Sequence, residues 1–306
     1  MYNENDWKWA KEYIENNKKV GVFGIKYLDD KLKGILKGDL ILIGARSGAG
    51  KTTLSNIISM ANAKLDKKIA LFSLENFTND NLMEKAYYFY KEFTQNFSLD
   101  LRDFVQGNFV MDLDNFKKAS YEAKMAYKNV NIINRQAGYD TNKLKQDIIK
   151  QANNGIDLII LDHLDYIDRV ENENNENDHM TVLMRTIRQI QNETKVAIVA
   201  ISHLRKNYNT KESPKIPSID EFIGSSNKVK EATAVIMFAP DDETNYTSTN
   251  YNLRNTWCCI RKLRMGGIDN TAAKLIFDTK TGSYRDIYTR YKVNYSGTQT
   301  VEIKEV

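Results

Sequence analysis

Cysteine is nearly missing from this chain of 306 residues: there are two, Cys258 and Cys259, adjacent in TWCCI. Neighbouring residues of a strand point to opposite faces, so the pair does not bridge. With no second pair, a four-cysteine zinc site is excluded. So few thiols fit a reducing, intracellular setting. Long apolar runs are also missing, and none approaches the roughly 20 residues of a membrane span. The opening MYNENDWKWAKEY lacks the apolar core of a secretion signal, so the expected location is cytoplasmic, with no membrane partner. Charge excess is small, 44 Lys plus Arg against 40 Asp plus Glu. A nucleic-acid partner is permitted but not required by that balance, because local patches matter more than the total. No internal repeat is visible, and two of the three prolines fall in one charged stretch, 205–218.

What is present is an alternation of short apolar runs with helical patterns. Residues 6–16 set Trp9 and Tyr13, with Trp7 or Ile14, along one side of a short helix. Apolar runs suited to buried parallel strands occur at 40–43, 68–73, 129–133, 157–162 and 195–202. Helical periodicity marks 54–65, the aromatic-rich 78–127, 141–154 opening at a capping Thr141, and 181–194. The polar run ENENNEND at 171–178 reads as a solvated loop. AVIMFA, WCCIRKL and AAKLIFD follow as strands without long helices between them. The pattern predicts an α/β fold, a mostly parallel sheet flanked by helices with extra strands at the C-terminal edge. It also divides the chain into an N-terminal arm, 1–19, and one large domain, 20–306.

Residues 44–53 read GARSGAGKTT directly after LILI. The phosphate-loop pattern G-x-x-x-x-G-K-[ST] is met at its Gly50-Lys51-Thr52 end. Its first position is Ala45, with Gly44 one residue early; a small residue suffices there. The nucleotide-binding stretch is thus Ala45, Arg46, Ser47, Gly48, Ala49, Gly50, Lys51, Thr52 and Thr53. Backbone N–H groups from Ser47 to Thr52 would wrap a β-phosphate at a helix N-terminus. Lys51 would bridge the β- and γ-phosphates and the Thr52 hydroxyl would bind Mg²⁺. Asp162 closes LIILD, which puts its carboxylate at the C-terminal edge of the sheet as a second Mg²⁺ ligand. Glu75, just past the strand after the phosphate-loop helix, is the candidate base for an attacking water. Taken alone it is as readily a surface residue.

The stretches GARSGAGKTT, IALFSLEN, LIILDHLDYI, AIVAISHLRK, IDEFIGSSNKVKEATAVIMF and IRKLRMGG, in that order, resemble the RecA-like P-loop motor domain of DnaB-type hexameric replicative helicases. Within that family the resemblance is greatest to the phage primase-helicase and Twinkle branch, and it spans roughly residues 20–285. It implies ATP (or another nucleoside triphosphate) with Mg²⁺ as cofactors, and it makes Glu75 the catalytic glutamate. His203 would sense the γ-phosphate. Arg264 would be an arginine finger, with Lys262 its companion, reaching into a neighbouring subunit's site. A site completed by the next copy makes head-to-tail contacts, and the resemblance implies six subunits. The arm helix could then pack on an adjacent protomer, or on its own domain.

The resemblance also places single-stranded DNA against two loops. The first offers Arg205 and Lys206, with Lys211 and Lys215. The second offers Gly224, Ser225, Ser226, Asn227, Lys228 and Lys230, with Lys228 the leading candidate. Contacts of this kind hold phosphates without reading sequence. Where the family carries a base-stacking arginine, this chain has Ala239, Pro240 and Asp241. With no primase or separate N-terminal domain in these residues, a separate primase or helicase loader is expected, in the host cytoplasm if the chain is phage-encoded. Two further readings remain: a RecA-like ATPase of recombination, repair or signalling that does not unwind, and an assembly module switched by nucleotide.

Overall fold

All six side chains of Leu40–Ala45 are buried, the outcome expected of an unbroken apolar run covered on both faces. A computed structural model describes residues 5–170, 175–204, 216–222, 225–241, 253–264, 271–278, 281–293 and 300–303. Its strands are β1 (Lys19–Gly21), β2 (Ile35–Leu36), β3 (Leu40–Ala45), β4 (Ile69–Ser73), β5 (Val130–Asn134) and β6 (Leu158–Asp162). After these come β7 (Ala197–His203), β8 (Ala234–Pro240), β9 (Leu253–Leu263), β10 (Thr271–Asp278), β11 (Ser283–Val293) and β12 (Thr300–Ile303). The helices are α1 (Asn5–Asn16), α2 (Lys26–Leu32), α3 (Lys51–Ala63), α4 (Thr78–Thr94), α5 (Leu101–Gln106) and α6 (Leu113–Ala126). They continue with α7 (Thr141–Asn153), α8 (Glu176–Thr194) and α9 (Ser225–Glu231), and 3₁₀ turns occur at Leu164–Tyr166 and Ile219–Glu221.

β3 lies inside a ten-stranded sheet of order β12-β11-β10-β9-β8-β3-β7-β6-β4-β5. The six strands from β8 across to β5 in that order run parallel; β9 to β12 continue antiparallel from β8, the expected edge extension. One face of the sheet packs on α3 through Leu54, Ile57 and Ile58. The other packs on α7 and α8 through Leu144, Ile148, Leu183 and Ile187. Cys258 joins the first of these clusters and Cys259 a smaller one around Trp257, so the two free thiols do face opposite ways. Residues 78–127 form α4, α5 and α6 around a satellite aromatic core of Tyr87, Tyr90 and Phe104. Asp100 and Asp112 cap α5 and α6 by accepting backbone N–H groups.

Two boundaries differ from expectation. The run at 171–178 is not all loop: α8 starts at Glu176, with the Asn175 side chain accepting the Asp178 N–H and two acids in the first turn. An asparagine cap and acids at a helix start stabilise that end, so a polar run can be a helix opening. The α7 cap is Asp140, whose side chain accepts from Asn142 and Lys143, rather than Thr141. Among the described residues, no helix is long and apolar enough to cross a membrane.

Candidate active site

The turn from β3 into α3 is built on two glycines in the left-handed region, Gly48 at φ 81° and Gly50 at φ 71°. Gly44 is needed for a different reason: a Cβ there would sit 2.5 Å from the Phe222 ring. The loop is fastened at three points. The Arg46 backbone N–H donates to Phe238 O at 3.1 Å, and Tyr284 Oη of β11 donates to Ala49 O at 2.7 Å. Arg46 grips the buried Glu221 carboxylate with Nε at 2.8 Å and a terminal nitrogen at 2.7 Å. Its guanidinium therefore braces the loop, while its backbone stays in the phosphate stretch.

Beside the loop is a cavity of about 460 Å³ lined by Ser47 to Thr53, Glu75 and His203, and closed by Arg254, Phe277 and Tyr284 from the antiparallel strands. β7 lies between β3 and β6, so His203, at the end of β7, stands between the phosphate loop and Asp162. Lys51 opens α3; burial pulls its pKa down, against the attraction of Glu75, Asp162 and Asp165. Asp162 is buried, accepts from Ser55 Oγ at 2.7 Å through Oδ2, and leaves Oδ1 buried with no hydrogen-bond partner. Burial raises its pKa. A buried carboxylate oxygen without a partner is costly, and a hard cation held with the Thr52 hydroxyl would satisfy it. The donor set fits Mg²⁺.

Beyond Asp162 the peptide to His163 is cis, and His163 is buried. Its Nε2 lies 3.3 Å from Glu75 Oε2 and 3.0 Å from His203 Nε2, the two imidazoles meeting edge to face. Its Nδ1 lies 3.3 Å from Asp165 Oδ2, and the same oxygen accepts the His203 backbone N–H at 2.8 Å. Glu75 thus meets a histidine pair. Burial, the neighbouring His163 and Lys51 together hold the His203 pKa below its ordinary 6.5.

Lys262 and Arg264 are elsewhere. β9 runs antiparallel to β8, with Ala234 opposite Leu263 and Pro240 opposite Thr256. The pair therefore sits at the far end of the sheet from this chain's own phosphate loop. There Lys262 Nζ donates to Val229 O at 2.5 Å and Lys230 O at 3.1 Å, and Arg264 reaches Lys230 O at 3.4 Å.

One residue departs from its expected surroundings. Lys228, expected to face DNA, is fully buried, lying 3.2 Å from Asp165 Oδ1 and donating to Ser202 Oγ at 2.8 Å. Its stretch is a helix, and Lys228 falls on the helix side packed against β7, where an unmatched charge would not be tolerated. Lys230, two residues on, is exposed. Arg205, Lys206, Lys211, Lys215 and Gly224 lie outside the described residues, as do the side chains of Ser225, Ser226 and Asn227.

Sequence reasoning passed over Ser55, His163, Asp165, Arg254 and Tyr284. The first three had a local signal. Ser55 follows Thr52 by three positions, on one helix face, and His163 and Asp165 follow the strand-ending acid within three residues. Arg254 and Tyr284 had none, because the fold-back of β9 to β11 brings them to the loop.

Comparison with known proteins agrees with this geometry. A solved helicase-type ATPase domain superposes with a TM-score of 0.74 at 18% identity, covering 93% of this chain and 98% of that one. A DnaB-like replicative helicase solved for its interactions with primase gives 0.71 at 18% identity, covering 93% of this chain and 66% of that one. A replicative DNA helicase DnaB of Pasteurella multocida (strain Pm70) is 24% identical over 223 residues, 72% of this chain and 46% of the relative. The chain spans about half the length of the curated relatives it matches. The model of the DnaB-like helicase C terminal domain matches residues 22–286, and the chain belongs to that family.

Proposed function

We propose that this protein is the ATP-driven motor of a replicative DNA helicase, acting on single-stranded DNA as a ring of six copies. Polarity, 5′ to 3′, follows from the resemblance alone. The observation that carries the reading is the separation of Lys262 and Arg264 from their own chain's phosphate loop, at opposite ends of the sheet. A finger placed there serves a triphosphate held by another copy. Arg264 also lines a cavity of about 640 Å³ on that face, beside Tyr13 of α1. The outward aromatics of α1, with Trp9 69% exposed, are the surface offered to the neighbour.

In this reading Ser47 to Thr52 donate backbone N–H groups to the phosphates, and Lys51 bridges their oxygens. Thr52 and Asp162 would hold Mg²⁺, which when bound neutralises charge on the β- and γ-phosphate oxygens. Glu75 orients the attacking water and takes its proton, with His163 fixing the carboxylate. His203 faces the terminal phosphate. Arg264 of the next copy stabilises the charge that develops there, worth about 10³–10⁵ in rate. Arg254 and Tyr284 flank the space where a base would lie, in place of the stacking arginine replaced by Ala239, Pro240 and Asp241. Lys230 and the loop leading into α9 are the DNA-facing candidates.

Mixing Arg264→Ala with Glu75→Gln protomers tests the shared site. Each is inactive alone, and the mixture regains hydrolysis at seams that have both native groups; no regain overturns the reading. A forked-duplex assay with ATP and Mg²⁺, beside a sizing measurement, separates a helicase from the alternatives. Hydrolysis without unwinding favours a RecA-like ATPase of recombination, repair or signalling. Assembly on nucleotide with negligible turnover favours a switched module. Whether a separate primase or loader assists is read by adding candidates to that assay.

A further inference from the structure

A lysine with no exposed surface must have its charge matched, and the partners of Lys228 lead to the base. Lys228 Nζ lies 3.2 Å from Asp165 Oδ1, and Ser202 Oγ, which accepts from Lys228 at 2.8 Å, lies 3.3 Å from both Asp165 oxygens. Asp165 Oδ2 in turn accepts the His203 backbone N–H at 2.8 Å and lies 3.3 Å from His163 Nδ1. The other side of the same ring is 3.3 Å from Glu75 Oε2 and 3.0 Å from His203 Nε2. These contacts run unbroken from α9 to the two groups proposed to act on water and the terminal phosphate.

The start of that path is mechanically suited to carry a signal. Successive helix residues are turned by about 100°, so Lys228 and Lys230 lie on opposite sides of α9. Lys230 is exposed on the outer side, and Lys228 is anchored on the inner one. A charge pair in a low-dielectric interior changes steeply in energy with distance. Burial pushes the Asp165 carboxyl up, but His163, Lys228 and the His203 N–H outweigh it and hold the pKa well below the usual carboxylate range. Asp165 is therefore a fixed anion between α9 and His163.

We propose that Lys228 is a positioning residue that couples the placement of α9, and hence its contact with single-stranded DNA, to the geometry of Glu75 and His203. The coupling rests on the proposed roles of Glu75 as base and of the α9 segment as DNA-facing. Lys228 does not touch the DNA in this arrangement; it reports where α9 sits.

The test measures hydrolysis with and without oligo(dT), together with oligo(dT) affinity across a salt series, for Lys228→Met, Asp165→Asn and the double variant. Lys228→Met is expected to lose about 3- to 30-fold in the ratio of stimulated to basal kcat, the range of coupling changes seen for residues that touch neither ligand. Its affinity and salt slope stay at wild-type values. Asp165→Asn loses a similar factor, and the double variant is no worse than either single one. An unchanged stimulation ratio, fully additive losses, or a salt slope flattened by about one phosphate contact would each overturn the proposal; the last returns Lys228 to the DNA channel. Should the variants fail to fold, hydrogen exchange of the wild-type protein decides. Oligo(dT) must slow exchange in the peptides around 162–168 and 203 as well as in α9, and protection confined to α9 overturns the coupling. Retained hydrolysis in Glu75→Gln, or wild-type hydrolysis indifferent to oligo(dT), would instead sink the underlying reading.

Discussion

Ser55 Oγ donates to Asp162 Oδ2 over 2.7 Å, and that single bond decides which oxygen of the aspartate is left over. Oδ1 has no partner in a buried setting. Ser55 sits one turn along α3 from Thr52, so the same helix supplies a hydroxyl for the metal and another that aims the carboxylate at it. Ser55→Ala should therefore raise the Mg²⁺ concentration for half-maximal hydrolysis by about tenfold, the usual size of losing a group that orients a metal ligand. The rate at saturating Mg²⁺ should stay near that of the wild type. Titrating MgCl₂ at fixed ATP checks this, and an unmoved midpoint would detach Asp162 from the metal.

Tyr284 makes a separate prediction about the phosphate loop. Its hydroxyl donates to Ala49 O at 2.7 Å, tying β11 to the stretch between two left-handed glycines. Tyr284→Phe keeps the ring beside Phe238 and Phe277 and removes only that bond. Stability should fall by about 1 kcal/mol in a urea titration. The KM for ATP should rise more than kcat falls, because the loop loses preorganisation before the reaction begins. A drop in kcat alone would mean that the tyrosine acts on the transition state instead.

The histidine pair predicts a pH dependence whose sign is fixed. The His203 pKa lies below 6.5 in the folded protein, through burial first and then the nearness of His163 and Lys51. Above 6.5 the ring is neutral in both folded and unfolded chains, so it contributes no slope. Between 6.5 and the lower folded value the unfolded chain takes up the proton first, so stability falls as the pH falls through that window. His203→Gln removes the term. The difference in urea stability between wild type and variant, followed from pH 8 to pH 5, should therefore turn against the wild type below about 6.5. A flat difference would mean that His203 has the same affinity for a proton folded and unfolded.

How much of this was visible in the sequence depends on how local each feature is. The phosphate loop, Asp162 and the strand that carries His203 announce themselves within a few residues, because a strand, a tight turn and a helix start each have their own composition. The sheet with its antiparallel extension was legible for the same reason, strands following one another without helices between them. Arg254, Tyr284 and Glu221 were not, since each reaches the loop only through tertiary pairing across about 175 to 235 residues of chain, as with Arg46 to Glu221 and Ala49 to Tyr284. Lys228 was misread because a basic residue in a polar stretch looks solvated. Its burial depends on Asp165, which lies 63 positions away. The α8 start was missed because an asparagine-rich run has loop composition until one asparagine is used as a cap.

Lys262 and Arg264 were paired in the sequence reading, yet their surroundings predict different behaviour. Lys262 Nζ donates to the carbonyls of Val229 and Lys230 at the C-terminal end of α9, which helps to cap that helix and anchor it to β9. Arg264 is exposed and holds Lys230 O by a long 3.4 Å contact. Arg264→Ala should thus leave the melting temperature within about 2 °C of wild type while hydrolysis falls by about 10³-fold or more, the loss expected for a finger supplied in trans. Lys262→Ala should lower both, destabilising by about 1–2 kcal/mol as α9 loses charge-assisted bonds to its last carbonyls. Calorimetry beside steady-state hydrolysis distinguishes the two. If Arg264→Ala melts early and Lys262→Ala does not, the roles are reversed, and Arg264 is a structural residue of its own chain.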